Sequence, residues 1–146
     1  MIIEDYVSYE VAKLLKEKGF DEYCWKLYEL GDCDKPVLLS GFELSEESSF
    51  WNNKYLELYK KEHCHINDIC SAPTLQMAMK WLRETHGIDI IIEITNPKNR
   101  KYYCMIWDGN NNSHILDLFD SYEEAVGEAL KFCLEILLTI KINEES

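Results

Sequence analysis

Positive charge is scarce in this chain relative to negative. Fifteen Lys and Arg stand against 27 Asp and Glu, a net charge of −12 over 146 residues. The deficit is general: residues 1–70 hold 15 acids and 8 bases, and residues 71–146 hold 12 and 7. No basic domain is hidden inside the average. Nucleic-acid affinity rests largely on neutralising phosphates with Lys and Arg, so direct DNA or RNA binding is disfavoured. Acidity of this kind serves solubility first. The functional alternatives are a surface for a basic partner, or a nucleic-acid mimic that inhibits a DNA- or RNA-handling protein.

Other absences narrow the class. No apolar run approaches the ~20 residues needed to span a bilayer. The start, Met1-Ile2-Ile3-Glu4-Asp5, has no basic region and no cleavable apolar stretch, so no secretion signal and a cytoplasmic location are expected. The six cysteines (Cys24, Cys33, Cys64, Cys70, Cys104 and Cys133) form no C-x-x-C pair, and reduced thiols are expected. G-x-S-x-G, P-loop and G-x-G-x-x-G patterns are missing. No catalytic residue and no cofactor can be nominated.

What is present is an ordinary globular composition, 47% hydrophobic and 29% charged. A chain of this length can bury a real core without staples. The expectation is a single α+β domain over residues 1–146: an N-terminal helix and strand hairpin in 1–70, and a helix–three-strand–helix unit in 71–142. An antiparallel sheet of three to five strands carries the helices.

In the first part, Val7, Val11, Leu14 and Leu15 make one helical face within 7–18, with Ser8 as a possible cap and Gly19 as a stop. Tyr23–Tyr28 and Val37–Ser40 read as strands joined by the turn Gly31–Pro36, a hairpin. Glu43–Ser49 reads as a mobile loop. Trp51, Tyr55, Leu58 and Tyr59 recur at helical spacing, and His63–Ser71 reads as a connector.

The second part is sharper. Pro73 suits the first turn of a helix, whose stripe is Leu75, Ala78, Met79 and Leu82, with Trp81 at its edge and Gly87 ending it. Ile88, Ile90, Ile92 and Ile94 share one side of a strand. After the turn at 96–100, Tyr102–Trp107 is apolar on both faces, as in a central strand covered on both sides. Asp108–Asn112 turns into a third strand around Ile115–Leu118. Ser121 and Glu124 form an S-x-x-E capping box. From Lys131 to Ile142 the last helix is apolar nearly all round, which calls for cover on more than one side. The cover is expected to be the N-terminal region or a second copy, with the homodimer through this helix favoured.

Three blocks carry a resemblance: Ser8–Phe20; Ala72-Pro73-Thr74-Leu75 with Lys80-Trp81-Leu82-Arg83-Glu84; and Ser121-Tyr122-Glu123-Glu124-Ala125. In this order they resemble an uncharacterised family of small proteins from gut anaerobic bacteria and their prophages or mobile elements. The resemblance implies an origin and no activity. In topology, the C-terminal half also looks like a double-stranded-RNA-binding domain. Such a domain contacts RNA through its first helix, its first strand loop and a basic start of the last helix. Lys98, Arg100 and Lys101 suit the loop, but Glu123 and Glu124 give the last helix the wrong sign.

The remaining chemical signals are weak. His63, His65 and Cys70 are zinc-type ligands, but their spacing lacks the pairs of common structural sites. Only Glu62 or Asp68 lies nearby to complete a set. Cys64, flanked by two histidines, has no identifiable orienting group for thiol catalysis. His86 falls at a helix C-terminus, where the dipole favours an imidazolium, and His114 reads as a turn residue. The aromatic residues fall mostly on apolar faces and read as core. A helix-turn-helix starting at Val7–Lys18 is excluded, because a strand follows Gly19-Phe20 where a recognition helix should stand. The composite expectation is a non-enzymatic accessory protein of a prophage or mobile element, acting through an unknown protein partner. The alternatives are the acidic mimic and a small metal-binding enzyme.

Overall fold

A computed structural model describes residues 1–40 and 54–145. The fold is α+β, with two antiparallel three-stranded sheets and helices packed on them. The chain divides into two compact units, Tyr6–Pro73 and Met1–Asp5 with Thr74–Ser146.

The Tyr6–Pro73 unit opens with α1 (Tyr9–Glu17). The Ser8 hydroxyl accepts the Val11 N–H at 3.2 Å, which satisfies one of the free N–H groups at the helix start. Val11, Ala12 and Leu15 are buried along one face. Gly19, at φ +93, carries the chain out of the helix. The sheet has order β2-β1-β3, built from β1 (Lys26–Leu30), β2 (Val37–Ser40) and β3 (Asp68–Ala72). α1 and α2 (Lys54–Glu62) pack on β3, around a core of Leu27, Leu56, Ile66 and Ile69 with Tyr59 against it.

Four expectations need correction in this unit. The first strand begins at Lys26, three residues later than Tyr23. Tyr23 and Trp25 are exposed and meet edge to face at 5.8 Å, outside the ladder. The His63–Ser71 connector contains a strand, β3. Its residues are nearly all buried, so it shows no alternation to read. A sequence boundary at residue 70 therefore falls inside β3. The face of α2 is turned relative to the expected stripe: Leu56 is buried and Leu58 is 51% exposed. Glu43–Ser49 and Trp51 lie outside the described residues.

The second unit follows the expected order: α3 (Leu75–His86), β4 (Asp89–Asn96), β5 (Lys101–Trp107), β6 (Ser113–Phe119), α4 (Tyr122–Phe132). Thr74 caps α3 by accepting the Met77 N–H at 3.1 Å. Pro73 thus stands just before the cap, not in the first turn. Gly87, at φ +66, ends α3: its N–H bonds to the Arg83 carbonyl, and that of Ile88 to Leu82. These paired bonds satisfy carbonyls that the helix end leaves free. Trp81 is 7% exposed, hence core and not edge. Ser121 caps α4 through the Glu124 N–H, while the Glu124 carboxylate reaches back to the Asp120 N–H at 3.3 Å.

α4 packs across all three strands of the β4-β5-β6 sheet, with α3 beside it on β4. Ile88, Cys104, Ile106, Ala125, Ala129 and Leu130 close this core. A π-helical turn, Cys133–Leu137, continues α4 and leads into α5 (Leu138–Glu145). Leu134, Leu137 and Leu138 are buried, but Ile136 and Ile140 are 45% and 48% exposed. Among the described residues, the apolar circumference is therefore covered on one side and open at Ile136 and Ile140.

Candidate interaction face

The residues with suggestive chemistry are occupied structurally. His63 Nδ1 lies 2.9 Å from the Tyr59 carbonyl, and its ring stacks on Tyr59 at 4.0 Å between centroids. His65 stands edge-on to His63 at 6.0 Å, with Nε2 3.6 Å from Glu29. Cys64 is exposed, whereas Cys70 is fully buried in β3, and burial pushes its thiol up to about 12. Asp68 accepts the Tyr9 hydroxyl at 2.6 Å and lies 3.8 Å from Lys13 Nζ. Among the described residues, no three His, Cys, Asp or Glu side chains are grouped to hold a metal. The fold brings the two imidazoles together and places Cys70 in a different environment.

His86 turns its ring edge to Trp81 at 4.8 Å, and its carbonyl accepts Lys141 Nζ at 2.9 Å. His114 opens β6 with Nε2 3.7 Å from Asp108, its ring 5.3 Å from Phe132. Asp108 organises the β5–β6 turn: its carboxylate accepts the Asn110 N–H at 2.8 Å, and its own N–H bonds to the Asn112 carbonyl. The Asn110 N–H holds this carboxyl below the usual carboxylate range, aided by Asn112 and His114. These contacts account for the His114–Asp108 pair as turn architecture.

The basic loop is partly neutralised. Lys98 and Arg100 are exposed at the β4–β5 turn, but Lys101 is paired with Asp120 just ahead of α4. The first turn of α4 carries Glu123 and Glu124.

The outer face of the second sheet is different in kind. Side chains alternate across a strand, so one face of β5 presents Cys104 and Ile106, both fully buried under α4. The other presents Tyr103, Met105 and Trp107, half-buried to exposed. Among the described residues, the covering expected on both sides of β5 is thus present on one. Register places Ile91, Met105 and Ile115 opposite one another across β4, β5 and β6. Directly opposed side chains lie roughly 4.5–5.5 Å apart at Cβ, so these three form one continuous apolar row. Ile91 is 41% exposed, Ile115 61% and Trp107 39%. The neighbouring row is Glu93, Tyr103 and Asp117, in which the Tyr103 hydroxyl donates to Glu93 and its ionisation is pushed up. Asp89 stands opposite Trp107. Carboxylates thereby edge the apolar row at both ends.

Ile115 and Asp117 also line a groove of about 490 Å³ that runs over β6 to α4 and the π turn. Phe119, Phe132 and Ile136 supply its apolar lining; Glu128, Lys131 and Glu135 supply its charge. β6 is the outer strand of its sheet.

No family model, curated protein or solved structure matches the chain. None of these face residues was nominated from the sequence. The available signal was the doubly apolar Tyr102–Trp107, which fits an uncovered binding strand as well as a strand buried on both sides.

Proposed function

We propose that this is a non-enzymatic accessory protein that acts by protein–protein contact, through the outer face of the β4-β5-β6 sheet. The supporting observation is the row of exposed Ile91 and Ile115 with half-buried Met105 between them, beside Trp107 and edged by Asp89, Glu93 and Asp117. A contiguous apolar patch rimmed by polar groups marks interaction surfaces, and buried aromatic anchors dominate their energetics. The carboxylate rim selects a partner with a basic surface and speeds encounter with it. Direct RNA binding fits poorly, since the start of α4 is acidic and Lys101 is already paired. The sequence blocks at 8–20, 72–84 and 121–125 support an origin in a prophage or mobile element, acting in the cytoplasm.

A second reading has its own observation. Ile136 and Ile140 lie one turn apart and exposed, which supports homodimerisation through the C-terminal helix. Light scattering decides it: a mass above 17.2 kDa that Ile136→Glu with Ile140→Glu returns to the monomer value supports it. The acidic-mimic reading differs in depending on charge alone, with binding that collapses as salt rises.

The test of the main reading is a tagged pull-down from host lysate, with and without nuclease. The expected result is a partner that survives nuclease and is lost with Ile91→Glu or Trp107→Ala, both variants folded by circular dichroism. Capture unchanged by these face substitutions removes the reading.

A further inference from the structure

The partner's mode of attachment is open to the same geometry. We propose that the occupant is an extended segment of a partner protein, rich in Lys or Arg, that adds to the free edge of β6 as a fourth strand. This rests on the protein–protein reading above and deepens it.

Antiparallel neighbours alternate between pairs that exchange hydrogen bonds and pairs that do not. The bond from Asp108 N–H to the Asn112 carbonyl fixes the phase at the turn. Counting along the register, His114 and Leu116 turn their backbone groups toward Ile106 and Cys104 of β5. Ser113, Ile115 and Asp117 then turn theirs outward. No other strand pairs with this edge among the described residues. Three outward N–H groups and three outward carbonyls form a ready template for another strand. The register shift after Asp117 ends the regular ladder there, so the usable edge is Ser113–Asp117, roughly 16 Å.

What lies beyond the edge chooses the occupant. The groove from β6 to the π turn offers Phe119, Phe132 and Ile136 to every second side chain of an added strand. The charges around it are Asp117, Glu128 and Glu135 against Lys131 alone. A second copy would bring three more carboxylates to the same place, on a chain already at −12. A segment with apolar side chains inward and Lys or Arg beside them meets both the lining and the charge. π turns are themselves frequent at functional sites, and this one forms part of the wall.

The experiment is selection of phage-displayed random peptides of about twelve residues, long enough to overrun the edge, against the full chain. The expected consensus alternates apolar with Lys or Arg. Selected peptides, synthesised, should shift the amide resonances of Ser113, Ile115 and Asp117. Glu128→Lys with Glu135→Lys should weaken them by about tenfold or more, and N-methylation of alternate peptide amides should abolish binding. The methylated peptide needs no change in the protein, so misfolding cannot imitate the result. A helical consensus, binding indifferent to N-methylation, or no selected sequence overturns the proposal. So does a dimer whose interface contains β6. If the edge proves silent while Ile91→Glu still loses a captured partner, strand addition fails and the sheet-face reading stands.

Discussion

The six thiols differ by environment in a way the sequence spacing does not show. Burial is the main cause that pushes Cys24, Cys70 and Cys133 up to about 12 and Cys104 to about 11, whereas Cys33 and Cys64 are exposed. A disulfide reagent at neutral pH should therefore titrate two thiols rapidly and four only after denaturation. Fast reaction of more than two would mean that a buried site opens readily. Asp108 gives a second residue-level prediction. Its folded-state acidity is strengthened mainly by the Asn110 N–H, so its stabilisation is present above the unfolded carboxyl value and lost as pH falls through the lower folded one. Asp108→Asn should flatten the stability profile of the chain below about pH 4 and cost about 1–2 kcal/mol at neutral pH. Urea unfolding along a pH series checks both.

Among the elements, two glycines with similar backbone angles should respond differently. Gly87 at φ +66 has open space where a Cβ would stand, so Gly87→Ala should cost only the left-handed backbone strain, about 1–2 kcal/mol. Gly109 at φ +87 would place its Cβ 3.0 Å from the Gly87 carbonyl oxygen. Gly109→Ala adds a backbone clash to the same strain and should cost about 1–3 kcal/mol more. Equal melting shifts for the two would refute that ordering. The elements best read from sequence are those with local punctuation: Ser8, Gly87 and the Ser121–Glu124 box each mark an end by its own chemistry. β3 was missed because Ile69-Cys70-Ser71-Ala72 is buried throughout and pairs with a strand about forty residues earlier. Its signal is tertiary. The π turn has no local signature at all, since its residues are ordinary helix formers. The interaction face was illegible for a related reason. Apolar residues at Ile91, Met105 and Ile115 look alike whether a layer covers them or not.

For the whole molecule, net charge and apolar surface lead to separable expectations. If the sheet face governs partner binding, affinity should survive moderate salt while the on-rate falls, because screening removes steering more than burial. Stopped-flow or surface-based kinetics at two ionic strengths distinguishes this from a charge-only mimic, in which equilibrium binding falls steeply as well. The chain divides into two compact units, Tyr6–Pro73 and Met1–Asp5 with Thr74–Ser146. Residues 74–146 expressed alone should give a dispersed amide spectrum, although they lose the bond from the Leu75 N–H to the Asp5 carbonyl. An unfolded spectrum would show that its core is incomplete without the rest of the chain.

That single bond has a consequence for biogenesis. Residues 6–73 are continuous, so a ribosome can release them as a finished folding unit while the remainder is still being made. Residues 1–5 leave the exit tunnel before them, yet their partner Leu75 comes after. During synthesis the Asp5 carbonyl must wait for this partner until translation has passed residues 6–73. The order of folding is then the reverse of the order of emergence for this one segment, and a handle placed at Met1 would remain accessible on nascent chains until α3 appears.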